Sequence, residues 1–284
     1  MISIAYLGPP GTYSEWAAAT YVRWLAQQQQ SATLCAYPSI VQTIQATAQA
    51  HSDVSVVPIE NSIGGSVANT LDTLWETDSL QIQQALVLPI RHALLSHAAE
   101  LSAIATVYSH PQALSQCQQW LAQRLPQAQL IPTSSTTESL QQLERDRSAA
   151  AVSSQWAAQL YQLPMLAYPI SDHTDNCTRF WILSRQPSTS GSFTSLAFSL
   201  PTNAPGALLK PLQLFATQNI NMSRIESRPT KRALGDYHFF VDIEASLADP
   251  NTQAAVQLLK NCTQTLKVFG SYSILPMDCL EPLL

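Results

Sequence analysis

Lysine is absent from the first 184 residues of this chain, and charge of either sign is scarce throughout. Only 12% of the 284 residues are Asp, Glu, Lys or Arg, against 46% apolar. That balance excludes disorder and describes a globular chain long enough for two domains, each with its own core. The net charge of −5 is uneven. Residues 1–184 hold six Arg and twelve acids (6 − 12 = −6), whereas residues 185–284 hold eight basic and seven acidic residues (8 − 7 = +1). Neither part has the basic stripe that nucleic acid requires, so no nucleic-acid partner is expected. An anion bound by the first part must be held by Arg179, hydroxyls, amides and backbone N–H groups.

No apolar run is long enough to span a bilayer, and no membrane partner is expected. The N-terminus, Met1 to Pro10, has no basic start and reaches Gly8-Pro9 after seven residues. It lacks the form of a signal peptide, which points to the cytoplasm. The cysteines (Cys35, Cys117, Cys177, Cys262, Cys279) are odd in number and scattered. They fit reduced thiols rather than a disulfide framework. Neither they nor the histidines show ligand spacing, so no metal is expected.

What is present is a series of polar stretches at the ends of apolar, strand-like segments. Ile2 to Leu7 reads as a buried strand, Gly8-Pro9-Pro10-Gly11-Thr12-Tyr13-Ser14 as a turn, and Glu15 to Gln28 as a helix. Such a turn aims N–H groups and hydroxyls at an anion. It is not a nucleotide loop, because Tyr13-Ser14 stands where Gly-Lys-Ser/Thr is needed. The plain alternative is a connector with a helix cap at Thr12 or Ser14. Strands at 33–37 and 53–58 flank a helix at 39–50. Pro58-Ile59-Glu60-Asn61-Ser62-Ile63-Gly64-Gly65 then follows a strand end, where ligand groups gather in an α/β sheet; an Asn/Gly turn is an even alternative.

Residues 80–90 read as an extended crossover to a second lobe. Ser109-His110-Pro111 opens a helix with Gln112 and Gln116 on one face, and His110 reads as a helix cap rather than a base. Ser134-Ser135-Thr136-Thr137-Glu138 has the form of a capping sequence, with one or two hydroxyls free to face a cleft. Asp175-Asn176-Cys177-Thr178-Arg179-Phe180 then leads into an apolar strand. Thr178 and Arg179 supply a hydroxyl donor and a cationic fork, suited to an oxygen-rich anion, although an isolated hexapeptide of this kind is more often a surface turn. These repeated units imply a doubly wound α/β domain of two lobes around a cleft, resembling a periplasmic binding protein. The expected lobes are 1–80 plus 165–184, and 81–164. A linker at 185–192 leads to residues 193–284, which read as βαββαβ, the ferredoxin-like order.

Taken together, these stretches resemble the prephenate dehydratase family with its C-terminal ACT regulatory domain. The match rests on the stretches at 8–14, 58–62, 109–117, 135–136 and 176–180, and in the second domain on Gly206-Ala207-Leu208-Leu209 and Glu226-Ser227-Arg228-Pro229. Cys177 and Trp181 depart from the aliphatic residues expected there. The resemblance implies decarboxylating dehydration of prephenate to phenylpyruvate, CO2 and water, driven by aromatisation and needing no cofactor. It implies Thr178 as the donor to the departing hydroxyl, with Glu60, Asn61, Ser109 and Gln116 as further catalytic positions. Thr12, Ser14, Ser62, Ser135, Thr136, Asn176, Arg179 and Phe180 are the implied substrate-binding positions, with Arg179 either pairing a carboxylate or holding the motif in place. Phenylalanine is implied as the effector, at Asn203, Gly206 to Leu209 and Glu226 to Pro229, between chains of a homodimer or dimer of dimers. The start at the first strand leaves no room for a preceding chorismate mutase domain. Arogenate dehydration and a non-catalytic small-anion sensor are the alternatives, since fold alone does not choose an activity.

Overall fold

The computed structural model describes residues 1–276; Cys279 lies outside the described residues. β1 (Ile2–Leu7) turns into α1 (Tyr13–Gln27), capped by Thr12 Oγ1, which accepts the Glu15 N–H at 3.3 Å. β2 (Ala32–Tyr37), α2 (Ile40–Ala48) and β3 (Val54–Asn61) follow, and β2 and β3 both pair parallel with β1. The short β4 (Gly65–Ser66) folds back on β3, and α3 (Ala68–Glu76) leads to β5 (Gln81–Pro89).

Beyond Ile90 the chain builds a second sheet. Its elements are β6 (His92–Leu95), β7 (Thr106–Ser109), α4 (Pro111–Ser115), α5 (Gln118–Arg124), β8 (Gln129–Pro132), α6 (Leu140–Leu143), β9 (Ala149–Ser154), α7 (Gln155–Leu160) and β10 (Met165–Ala167). The strand order is β10-β6-β9-β7-β8. β11 (Cys177–Ser184) then returns to the first sheet, antiparallel to both β5 and β3. Because β5 is in the first sheet, the lobes divide near Ile90 rather than at residue 80. The long extended segment is a strand buried between neighbours, and the crossing is only the short piece after it.

The remaining elements are β12 (Phe193–Ser199), α8 (Leu209–Thr217), β13 (Met222–Pro229), β14 (Tyr237–Ile243), α9 (Pro250–Cys262) and β15 (Thr265–Ile274), the βαββαβ order read from the sequence. α8 begins only at Leu209, because residues 204–207 form a turn closed by Ala207 N–H to the Ala204 carbonyl.

Period-two alternation assigns the two faces of this sheet. Leu196, Phe198, Val241 and Ile243 pack beneath the helices with Phe215 and Leu259. Ala197, Phe240, Phe269 and Tyr272 pack instead against Val57, Ile59, Leu71, Trp181 and Leu183 of the first domain. Trp181, unexpected from the sequence, fills this inter-domain core with its ring centroid 6.2 Å from that of Tyr272. Ser273 and Ile274 pair with Gln84 and Ala85, so one sheet runs β13-β14-β12-β15-β5-β11-β3-β1-β2 through both domains.

Candidate active site

β3 and β11 lie side by side with Asn61 opposite Thr178 and Glu60 opposite Arg179. Asn61 Oδ1 accepts the backbone N–H groups of Ile63 and Gly64 at 3.1 and 2.7 Å. That fixes the amide orientation: the oxygen is taken by two donors, so the nitrogen faces β11. Asn61 Nδ2 lies 3.0 Å from Thr178 Oγ1, 2.8 Å from Asn176 Oδ1 and 3.1 Å from the Cys177 carbonyl. Thr178 Oγ1 therefore acts as acceptor toward Asn61, and its own proton is left to donate elsewhere. Asn176 Nδ2 is a buried donor without a partner among the described residues. Ser62 locks the same knot, its Oγ accepting the Cys177 N–H at 3.0 Å.

The two lobes close over this knot. A Cβ on Gly64 would lie 2.8 Å from Gln112 Nε2 of the other lobe, and one on Gly11 would lie 2.9 Å from the Tyr161 ring and 3.2 Å from Thr137 Cγ2. Glycine at both places lets backbone meet side chain across the seam. Tyr161 OH donates to the Pro10 carbonyl at 3.2 Å and Ser154 Oγ to the Gly11 carbonyl at 3.1 Å. Buried Glu15 gathers the Gly11 N–H at 2.7 Å, Trp156 Nε1 at 2.8 Å and Tyr6 OH at 3.1 Å. Burial, with Glu15 second, raises the Tyr6 pKa, so the phenol stays a donor. Of the hydroxyls at 134–137, it is Thr137 that reaches the seam, with Oγ1 buried and without a hydrogen-bond partner among the described residues. Ser135 instead caps the next turn, accepting the Glu138 N–H at 3.0 Å, and the Thr136 carbonyl accepts from Ser139 Oγ.

The remaining candidate residues take up other contacts. Strand alternation sends Glu60 and Arg179 to the face opposite Asn61 and Thr178. There Arg179 Nη1 meets Asp242 Oδ2 at 3.2 Å, and Nη2 meets Glu60 Oε2 at 3.9 Å. Phe180 is 1% exposed in the core with Tyr6, Trp16 and Leu88. Ser109 is fully buried and donates to the Val152 carbonyl at 2.6 Å, because it ends a central strand. Gln116 Oε1 lies 2.9 Å from buried His92 Nε2, while His110 caps α4 as its place in the sequence implies. Thr12 caps α1, and Ser14 is buried in its first turn. Tyr13 OH donates to the Arg91 carbonyl at 2.8 Å and lies 3.4 Å from His92 Nδ1, so these two join Gln112 and Thr137 as seam residues that the sequence reading missed. His92 carried no signal, being a lone histidine at a strand start.

In the second domain Asn203 Nδ2 donates to the Gly235 carbonyl at 2.9 Å. Asn203 and Pro229 border a groove of about 790 Å³ that also meets Trp75, Lys231 and His238; Gly206 to Leu209 are not among its walls. Glu226 accepts from Ser66 Oγ at 3.1 Å, and Arg228 grips Asp72 at 3.0 and 3.1 Å, while Ser227 is exposed on the other face of β13. Within one chain these groups are thus engaged by the first domain.

Comparison with known proteins agrees with this architecture. The prephenate dehydratase family profile matches residues 4–188, and the ACT domain profile matches residues 194–257. A prephenate dehydratase from Lactococcus lactis subsp. cremoris is 34% identical over 281 residues, covering 96% of this chain and 98% of that protein. A bifunctional chorismate mutase/prephenate dehydratase from Aquifex aeolicus is 39% identical over 273 residues, 95% of this chain and 73% of that protein. The crystal structure of a prephenate dehydratase from Arthrobacter aurescens in complex with L-Phe superposes with a TM-score of 0.87 at 33% identity, covering 100% of this chain and 92% of that one. The chain belongs to the prephenate dehydratase family, with an ACT domain following the catalytic one.

Proposed function

We propose that this chain converts prephenate to phenylpyruvate, CO2 and water, with Thr178 as the donor to the departing ring hydroxyl. The observation that carries the reading is the fixed Asn61 amide, which occupies an acceptor position on Thr178 Oγ1 and leaves its proton for a ligand. As the ring carboxylate leaves as CO2, its bonding pair enters the ring, and the hydroxyl departs as water with a proton drawn from solvent. A positioned donor to that oxygen contributes about 10²–10⁴ in rate. An alcohol is a weak acid, so Thr178 polarises the leaving oxygen. Asn176 Nδ2 has a donor to offer the same substrate. Arg179 is committed to Asp242, so the substrate carboxylates fall to backbone and neutral donors at the seam.

The second domain is proposed to bind phenylalanine between two chains; what supports phenylalanine as the ligand is that the Arthrobacter aurescens relative forms a complex with L-Phe. The free outer edge of β13 supports a homodimer, since pairing two copies covers such an edge. Free thiols at Cys35, Cys117, Cys177 and Cys262 suit a reducing cytoplasm. Purified chain incubated with prephenate should yield phenylpyruvate, and with arogenate should yield little phenylalanine. Preference for arogenate would reassign the substrate, and turnover of neither would overturn the dehydratase reading.

A further inference from the structure

Glu60 and Arg179 form a ring of alternating charge with two residues of the second domain. Asp242 on β14 is 1% exposed, and Arg224 on β13 has a side chain only 7% exposed. Asp242 Oδ2 lies 3.2 Å from Arg179 Nη1 and 3.6 Å from Arg224 Nη1. Glu60 Oε1 and Oε2 lie 3.8 Å from Arg224 Nε and 3.9 Å from Arg179 Nη2. Ser195 Oγ donates to the other Asp242 oxygen at 2.6 Å and holds that carboxylate in place. Arg224 Nη2 donates to Ser66 Oγ at 3.0 Å, on β4, which pairs with Glu60 and Asn61.

Two features separate this ring from an ordinary stabilising cluster. It is loose: Arg224 Nε and Nη1 are buried without hydrogen-bond partners among the described residues. A buried ion cluster with incomplete hydrogen bonding contributes little net stability against the cost of desolvating its charges. It is also placed one residue from the chemistry on both strands. Glu60 and Arg179 are sequence neighbours of Asn61 and Thr178 and face each other across the same pair of strands. Any shift of the ring moves the backbone that sets the 3.0 Å contact between Asn61 Nδ2 and Thr178 Oγ1.

We propose that Glu60, Arg179, Arg224 and Asp242 are positioning residues, through which the regulatory sheet sets the Asn61–Thr178 hydrogen bond from behind. This inference rests on the dehydratase reading for its kinetic consequence, though not for its structural one. None of the four touches substrate, so disturbing them lowers kcat and spares KM. Asp242 makes the distinction sharp, because it belongs to the second domain.

The test uses the full chain with Glu60→Gln, Asp242→Asn, Arg179→Met and Arg179→Lys. Misplacing a catalytic group by a fraction of an ångström is expected to lower kcat about tenfold or more in the first three. KM should stay within about twofold of wild type, since no substrate contact is lost. Arg179→Lys keeps the charge and should recover kcat to within about threefold, lacking only the fork. Glu60 has a third of its side chain exposed, so Glu60→Gln remains a folded variant if Asp242→Asn does not. The second readout is the side-chain amide resonance of Asn61, assigned by its loss in Asn61→Asp. It should shift in Glu60→Gln whether or not the wild type turns over prephenate. A wild type without turnover therefore refutes the dehydratase reading alone if the resonance shifts, and both if it does not. In an active enzyme, unchanged kcat in the folded variants overturns the positioning role. A rise in KM at constant kcat overturns it too, and returns Glu60 and Arg179 to the substrate.

Discussion

Replacing Asn61 with Asp tests the hydroxyl assignment most directly, because it changes one atom in a fixed amide. One Asp oxygen can still accept from the Ile63 and Gly64 N–H groups, at 3.1 and 2.7 Å in the wild type. The other replaces a donor that meets three oxygens, on Asn176, Cys177 and Thr178, within 3.1 Å. Thr178 must then turn its only proton onto the carboxylate, and the departing substrate hydroxyl loses its donor. A lost donor of this kind costs about 10²–10⁴ in rate. At about 1.36 kcal/mol per tenfold, that raises the barrier by about 3–5 kcal/mol. The fold should tolerate the change. Asn176 Nδ2 has no partner among the described residues, so its amide can turn over and donate to the new carboxylate. Steady-state kinetics should show kcat falling at least about 100-fold with little change in KM. Lowering the pH toward the usual carboxyl range, about 4, should return part of the rate by restoring an O–H donor. A folded Asn61→Asp enzyme within about threefold of wild-type kcat would refute the geometry assigned to Thr178.

Thr178→Ala should lower kcat at least about tenfold with an unchanged far-UV spectrum, and near-normal turnover would remove Thr178 from the mechanism. Exhaustive chelation should leave full activity, and a loss that zinc or magnesium restores would contradict that. Calorimetric titration of the intact chain with phenylalanine should show binding together with a fall in rate, at a coupling of about 1–3 kcal/mol; no heat and no change in rate would reject phenylalanine as effector. His92 offers a pH test. Burial holds its imidazole below the ordinary value of 6.5, against the opposing hydrogen bond with Gln116. The unfolded chain takes up a proton near pH 6.5 that the folded chain refuses, so stability present above 6.5 is lost as pH falls through the folded value. The urea midpoint of the wild type should therefore drop more than that of His92→Gln between about pH 7.5 and about pH 5.5, and equal drops would exclude His92 as the source.

The resemblance implies that Asn61 and Thr178 share a site, whereas the strand ends alone leave a plain turn open at both. What misled was the position of those ends. The sequence places strand boundaries at Pro58 and Phe180, which makes residues 60–61 and 178–179 loop neighbours free to converge on one ligand. The strands instead run on to Asn61 and begin at Cys177. A strand turns consecutive side chains to opposite faces, so each polar pair is split between the seam and the regulatory sheet. The βαββαβ order was legible from turn residues and apolar alternation. The contacts of β13 with the first domain were not, because the resemblance assigns Glu226 and Arg228 to an effector site and nothing in the sequence pairs them with Ser66 and Asp72.

The pairing of Ser273 and Ile274 with β5 has a consequence for how this enzyme can be taken apart. A cut in the linker at 185–192 looks like a cut between modules, yet it would strip β5 of its partner on one side. It would also uncover Val57, Ile59, Leu71, Trp181 and Leu183, which share a core with Ala197, Phe240, Phe269 and Tyr272. An apolar strand with an unpaired ladder is a template for self-association. The catalytic half is therefore unsuited to study as an isolated fragment, and a foreign effector domain grafted at this linker must bring its own last strand in register with Gln84 and Ala85. Modularity in this protein resides in the strand that joins the sheets, and the flexible-looking linker is incidental to it.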